Sequence, residues 1–389
     1  MAKKILIFKV KKFCYDSPFY FADQMAKCFR EIGWQVDVFD SDRQDMQELD
    51  NYSGRTYDAI IDFNSQLPAL DTTENELYLD TINGPFYNYI LDHPLYHHDM
   101  IKVALKNYHI ICLDYNHKDY IDKWYPHIRS CHVVPIAGSA AKHPVPWQEK
   151  ETDLIFTGTY TNTKYLLEML HEMGGELEAD NLELINRLNA DRNLTLEEVF
   201  DNFASEIGIE KNLVRFPLRM HAYFPVDSYI TALMREEAIR IIASSGQPIT
   251  LVGHNWNKAR FLKGLDNVTA LPPVKFHQQF DLMANSKIVL NVMPWFKNGC
   301  HDRIYSTMLN GAVSLSDESK YLEDNFSAGE SIVTYSLKKL ESLPEMISSL
   351  LADDAMLKEI AENGQAICAK THTWQAHCQI LAEIFSANS

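Results

Sequence analysis

The chain has 389 residues, 46% of them hydrophobic and 23% charged, with a formal net charge of −17. That length exceeds one ordinary core, so two domains are expected, and the composition excludes a disordered chain. So acidic a chain grips a nucleic-acid backbone or an anionic membrane poorly, although a local basic pocket remains open. The amino-terminal MAKKILIFKVKKF is broken by Lys9, Lys11 and Lys12, unlike a signal peptide, and no window approaches the ~20 apolar residues of a membrane span. The seven cysteines are scattered without a Cys-x-x-Cys pair, which points to reduced thiols and a cytoplasmic protein.

Apolar runs of strand length occur at Lys4–Val10, Val36–Phe39, Ala59–Asp62, Tyr89–Leu91, His109–Leu113 and His132–Val134. Helical spacing separates several of them, at Pro18–Ile32, Leu95–Lys106 and Lys118–Tyr125. The small, polar, Pro-bearing segment Ala137–Glu151 reads as a linker. A second alternation starts with a strand at Leu154–Thr157 and a helix at Asn162–Met173. Residues 175–218 read as a helical insertion, followed by a long helix at Tyr229–Ala243. Strands follow at Ile249–Val252, Val268–Leu271, Ile288–Val292, Ala312–Leu315 and Ile332–Thr334, and the last helix shows Trp374, Cys378, Leu381 and Phe385 on one face. Short apolar strands alternating with amphipathic helices specify an α/β fold of two doubly wound parallel sheets, with ligands at the carboxyl ends of the strands. The expected division is 1–150, 151–370 and a terminal helix at 371–389.

Three strand ends in the second half carry glycine turns. They are Gly158-Thr159-Tyr160, Gly253-His254-Asn255 with Lys258 beyond it, and Lys297-Asn298-Gly299-Cys300-His301 leading into Asp302 and Arg303. In the last, Asp302 sits where a helix would be capped and Arg303 opens the helix. A glycine turn feeding a helix N-terminus offers backbone N–H groups and the positive end of the helix dipole, so it is a plausible phosphate seat. An ordinary capped turn is the plain alternative. In the first half, Asp16 follows the first strand and His93 follows the fourth; each is a candidate acid–base group, with a helix cap the equal alternative for Asp16 and a satisfied structural histidine for His93. His93 and His97 are four apart, but no third ligand or HExxH pattern supports a metal. Asp40-Ser41-Asp42 reads as a polar loop, since the first strand lacks G-x-G-x-x-G.

FTGTY, LVGHNW, ALPPVKF, KIVLNV and HDRIYSTMLNGAVSLSD together resemble the C-terminal half of GT-B glycosyltransferases, above all the CgeB-type (spore-maturation-like) proteins. Arg303, Gly311 and Asp317 match that pattern. The resemblance is carried by roughly 150–370 and is topological over 1–150. It implies two Rossmann-like domains facing across a cleft and a terminal helix that crosses back to the first domain. It also implies a nucleotide-diphosphate sugar, UDP-sugar first among them, as co-substrate of a hexosyltransferase-type enzyme, an acceptor of unknown class, and no cofactor or metal. The base would meet the backbone near Pro273 and Val274. Where related retaining enzymes carry two glutamates eight positions apart, this chain has Asn298 and Ser306. That departure leaves the stereochemistry open, and leaves a nucleotide-sugar epimerase or a catalytically silent scaffold as rivals.

Overall fold

The computed structural model describes residues 2–12 and 14–388. The chain forms two compact units. One takes the chain up to Ala137, residues Asn212–His221 and the chain from Thr373; the other takes Gly138–Lys211 and Ala222–His372.

In the first unit, β1 (Lys4–Lys9), β2 (Gln35–Asp40), β3 (Ala59–Phe63), β4 (Phe86–Tyr89), β5 (Tyr108–Cys112) and β6 (Ser130–Val133) form one parallel sheet ordered β2-β1-β3-β4-β5-β6. The runs Ile5–Phe8 and Ala59–Ile61 are buried on both faces, as a sheet covered by helices on both sides requires. Helices α1 (Ser17–Glu31), α2 (His98–Ile101) and α3 (Tyr115–Trp124) connect the strands. The fourth strand lies three residues earlier than its apolar pattern suggests, because Phe86 to Tyr89 are the residues in register with Tyr108 to Ile111. The expected helix over 95–106 shrinks to a 3-10 turn at Pro94–His97 and α2. Beyond it Lys106 N–H leaves the helical pattern to bond Asp80 Oδ1 at 2.8 Å.

In the second unit, β7 (Thr152–Thr157), β8 (Ile249–Val252), β9 (Val268–Leu271), β10 (Ser286–Leu290), β11 (Val313–Asp317) and β12 (Val333–Tyr335) make another parallel sheet, ordered β12-β11-β10-β7-β8-β9. Helix α4 (Thr163–Met173) is followed by α5 (Gly175–Ala190) and α6 (Leu196–Glu206), with no strand before α8 (Phe224–Ser244); α7 (Arg215–Ala222), between α6 and α8 in the chain, belongs to the first unit except for Ala222. Then come α9 (Gln279–Ala284), α10 (Asp302–Leu309), α11 (Lys320–Asn325), α12 (Leu343–Ala352) and α13 (Asp354–Thr371). The core joins Phe156, Leu251, Ile288, Leu290 and Leu315 of the sheet to Ile239 and Ile242 of α8.

Part of the segment read as a linker is strapped to α10. Ser139 N–H donates to Ser306 Oγ at 3.0 Å, Ala141 N–H to Asn310 Oδ1 at 2.7 Å, and Asn310 Nδ2 to Ser139 O at 3.0 Å. Gly138 permits this approach: a Cβ there would lie 2.7 Å from both Leu309 Cδ1 and Tyr305 Cβ. The terminal helix α14 (Trp374–Asn388) belongs to the first unit, where Phe385 stacks on Phe29 at 5.8 Å and meets Tyr87 at 4.5 Å.

Candidate functional site

Strand order fixes where a site can form. In the second unit the chain runs outward from β7 to β9, then returns to the other side of β7 as β10. Phe156 and Leu290 are register partners at this reversal. Connections leave β7 and β10 in opposite directions, which opens a crevice at their carboxyl ends.

The turns after β7 and β8 form one locked piece. Gly158 N–H donates to Val252 O at 2.9 Å and Tyr160 N–H to His254 O at 3.0 Å. Trp256 Nε1–H donates to Gly158 O at 2.7 Å, and Asn255 Nδ2 donates to Tyr160 O at 3.3 Å. Gly253 has φ +147°, and an added Cβ would lie 2.2 Å from Gly158 O. Only glycine lets the two backbones touch there. Asn255 is left-handed at φ 68°, a conformation its short amide tolerates. Thus Gly158, Thr159, Tyr160, Gly253 and Asn255 come together as expected, with one change of role. The Tyr160 ring is buried and its hydroxyl donates to Glu236 Oε2 at 3.2 Å, so its side chain faces the core. Burial and the Glu236 charge push its pKa up to about 12.

The turn after β10 is held from below. Asn291 N–H donates to Leu315 O at 2.7 Å, Tyr335 Oη to Asn291 O at 2.6 Å, and Met293 N–H to the buried Asp317 Oδ1 at 2.8 Å. Ser319 Oγ donates to Gly299 O at 2.8 Å. Burial raises the Asp317 pKa to about 6, against the opposing pull of the Met293 N–H and the Lys297 charge. At the helix start the structure corrects the sequence reading: His301, not Asp302, is the N-cap. Arg303 N–H donates to His301 Nδ1 at 3.1 Å, because the ring nitrogen reaches the second N–H of the helix. Asp302 occupies the first helical position, with Oδ1 2.9 Å from the same Nδ1. The guanidinium of Arg303 donates to Asn291 Oδ1 at 3.5 Å. Lys297 extends its ammonium to Arg192 O at 2.6 Å, so it braces the segment after α5. Ser306 is sealed under the 138–141 strap, its Oγ accepting from Ser139, while Asn298 stays half-buried in the turn.

The sequence reading missed Arg235, on α8. Its Nη1 donates to Thr159 O at 3.2 Å, and its guanidinium lies 5.6 Å from the Phe156 ring and 5.9 Å from the Trp295 ring. Trp295 in turn meets the His301 ring edge-on at 6.5 Å. Arg235 therefore joins the glycine turns on one side of the switch point to the His301–Arg303 turn on the other. It lies within the helix expected at Tyr229–Ala243, and nothing in the sequence singled it out. Of the remaining candidates, Lys258 is exposed beyond the β8 turn, Pro273 is exposed and Val274 half-buried in the coil after β9.

Asp16 and His93 belong to the first unit. That sheet reverses between β1 and β3, whose turns meet through a hydrogen bond from Lys11 N–H to Gln66 Oε1. Asp16 is half-buried in the β1 turn with left-handed φ 68°, at the start of α1, where its side chain makes no capping bond. His93 is 4% exposed, and its Nδ1 accepts from Leu95 N–H at 3.0 Å. It caps the 3-10 turn at Pro94–His97. Phe13 lies outside the described residues. Asp40 ends β2 instead of opening a loop, with Lys9 Nζ 2.7 Å from its Oδ2. Among the described residues no group of three or more His, Cys, Asp or Glu is arranged to hold a metal ion, and no helix is long and apolar enough to cross a membrane.

Residues 234–383 match a family model described as glycosyl transferase-like. No curated protein sequence matches the chain. Solved structures are similar over nearly its whole length. The sucrose-phosphate synthase of Thermosynechococcus elongatus is 12% identical with a TM-score of 0.55, over 99% of each chain. HepE of Anabaena, solved with UDP and glucose, is 11% identical with a TM-score of 0.52, over 99% of this chain and 100% of that one. An alpha-glucosyltransferase solved with UDP and a 13-mer DNA containing a HMU base is 13% identical with a TM-score of 0.57, again over 99% and 100%. The fold is that of the GT-B glycosyltransferases, built from two Rossmann-like domains.

Proposed function

We propose that this protein is a glycosyltransferase that takes a nucleotide-diphosphate sugar, with UDP as the preferred nucleotide, and transfers its hexose to a hydroxyl-bearing acceptor. The observation that carries this reading is the Arg235 bridge: one guanidinium reaches from Thr159 O to Trp295 across the switch point of the second sheet. Beside it stand Arg303 and the N-terminus of α10. The UDP held by two of the similar structures supports the choice of nucleotide.

The chemistry follows from charge. As the bond between the sugar's anomeric carbon and the diphosphate oxygen breaks, negative charge grows on the diphosphate. Preorganised guanidinium groups and helix N–H dipoles stabilise that charge more than the ground state. Arg235 and Arg303 lead this list, with Lys258 second; Lys297 is assigned a bracing part because its ammonium is engaged with Arg192 O. These cations belong to the chain, so the proposed reaction draws its electrostatic stabilisation without a metal. Backbone of Gly158, Thr159, Gly253 and Asn255 would line the diphosphate and sugar, with Asn298, Gly299 and His301 opposite and Pro273–Val274 toward the base. The acceptor is assigned to the first unit. If the reaction inverts, Asp16 takes the acceptor proton; His93 is the weaker choice because it is sealed. The CgeB-type subgroup and a cytoplasmic location belong to the same proposal.

Isothermal titration and thermal shift against UDP, GDP, ADP and their hexose conjugates test it. UDP should raise the melting temperature, as any ligand of the folded state must. An acceptor-free turnover assay separates the rivals. Free sugar epimerised at the ring would favour an epimerase, and no nucleotide binding at millimolar concentration would favour a scaffold.

A further inference from the structure

We infer that Asp317 is a positioning residue for the nucleotide site: its carboxylate fixes the turn after β10 and thereby sets Trp295 against Arg235. This rests on the nucleotide-sugar reading above. Asp317 ends β11 and is 1% exposed. Its Oδ1 accepts from Met293 N–H at 2.8 Å. Its register partner on the next strand, Tyr335, donates its hydroxyl to Asn291 O at 2.6 Å, two residues earlier in the same turn. Two adjacent strands thus pin the turn at two points, just before Pro294 and Trp295. Trp295 carries the contacts at 5.9 Å to the Arg235 guanidinium and at 6.5 Å to the His301 ring.

A carboxylate buried this deeply is costly unless bonded and near positive charge. Lys297 supplies that charge. The negative group therefore sits under the turn whose upper side faces the proposed diphosphate, where it holds the backbone without meeting the ligand. Moving the turn would move Trp295, and with it one of the surfaces that orient Arg235.

Three variants of the full chain test this: Asp317→Ala, Asp317→Asn and Asp317→Glu. Two readouts are followed in each. One is the Kd for UDP by calorimetry; the other is the indole N–H resonance of Trp295, assigned with Trp295→Phe. The account expects Asp317→Ala to shift the indole resonance and to weaken UDP roughly 10-fold or more. Asp317→Asn, which keeps an acceptor for Met293 N–H, should return both toward wild type. Asp317→Glu, one methylene longer, should displace the turn and move both again. If Asp317→Ala fails to fold, Asp317→Glu decides. A folded Asp317→Ala or Asp317→Glu with wild-type indole position and wild-type affinity overturns the inference. If the wild type binds no UDP while the indole still moves as expected, the nucleotide reading fails and the positioning role of Asp317 stands.

Discussion

The two sheets share an architecture but arm their switch points differently. In the second unit the crevice is edged by glycines whose backbones touch and by guanidinium groups that meet a carbonyl, an amide and two aromatic rings. In the first unit the corresponding turns use non-glycine residues in left-handed conformations: Cys14, Tyr15 and Asp16 after β1, Asn64 and Ser65 after β3. The lysines there meet carboxylates, Lys9 with Asp23 and Asp40, Lys12 with Asp42. Backbone approach plus arginine suits an anion such as a diphosphate. On the function proposed above, the first arrangement would meet the diphosphate and the second the hydroxyl-bearing acceptor.

The sharpest way to break this contrast is Arg235→Ala. It should cost about 2 kcal/mol of UDP binding, roughly 30-fold in Kd, as loss of a charge-assisted contact does. Gly253→Ala should follow closely. It must separate the β7 and β8 turns, lowering stability by roughly 2 kcal/mol and UDP affinity with it, both readable in one thermal-shift series. Asp16→Asn should act on the opposite side of the comparison. It should cut transfer roughly 100-fold in an inverting enzyme while leaving the UDP Kd unchanged.

A pH-dependent effect concerns Asp62, fully buried near the end of β3, where burial lifts its pKa to about 7. Its folded pKa lies above the unfolded value. Its favourable contribution is therefore complete below the unfolded pKa and is lost as pH rises through about 7. Asp62→Asn should raise the melting temperature at pH 8 and leave it nearly unchanged at pH 4.

Much of this layout could be read from the residues. Apolar runs ending in glycine marked the carboxyl ends of β7 and β8, and NVMPWFKNGCHDR announced a turn into a helix, because both signals are local. Arg235 was invisible for the opposite reason. It stands on a helix separated from Gly158 by the insertion of α5, α6 and α7, and only the wound sheet brings them together. The cap at His301 was misread because an adjacent aspartate is the commoner cap, whereas the ring nitrogen had the better reach. Sequence comparison noted Ser306 as a missing acid. The strap at 138–141 accounts for it physically, since the side chain there is spent on Ser139 N–H. Lys297 looked like a ligand cation until Arg192 O supplied its partner.

The most direct test is calorimetric titration of UDP into the wild-type chain and into Arg235→Ala and Arg303→Ala. The account predicts saturable binding by the wild type and at least tenfold weaker binding by each variant, with folded melting curves throughout. Absence of binding by the wild type, or equal affinity in all three, would contradict it.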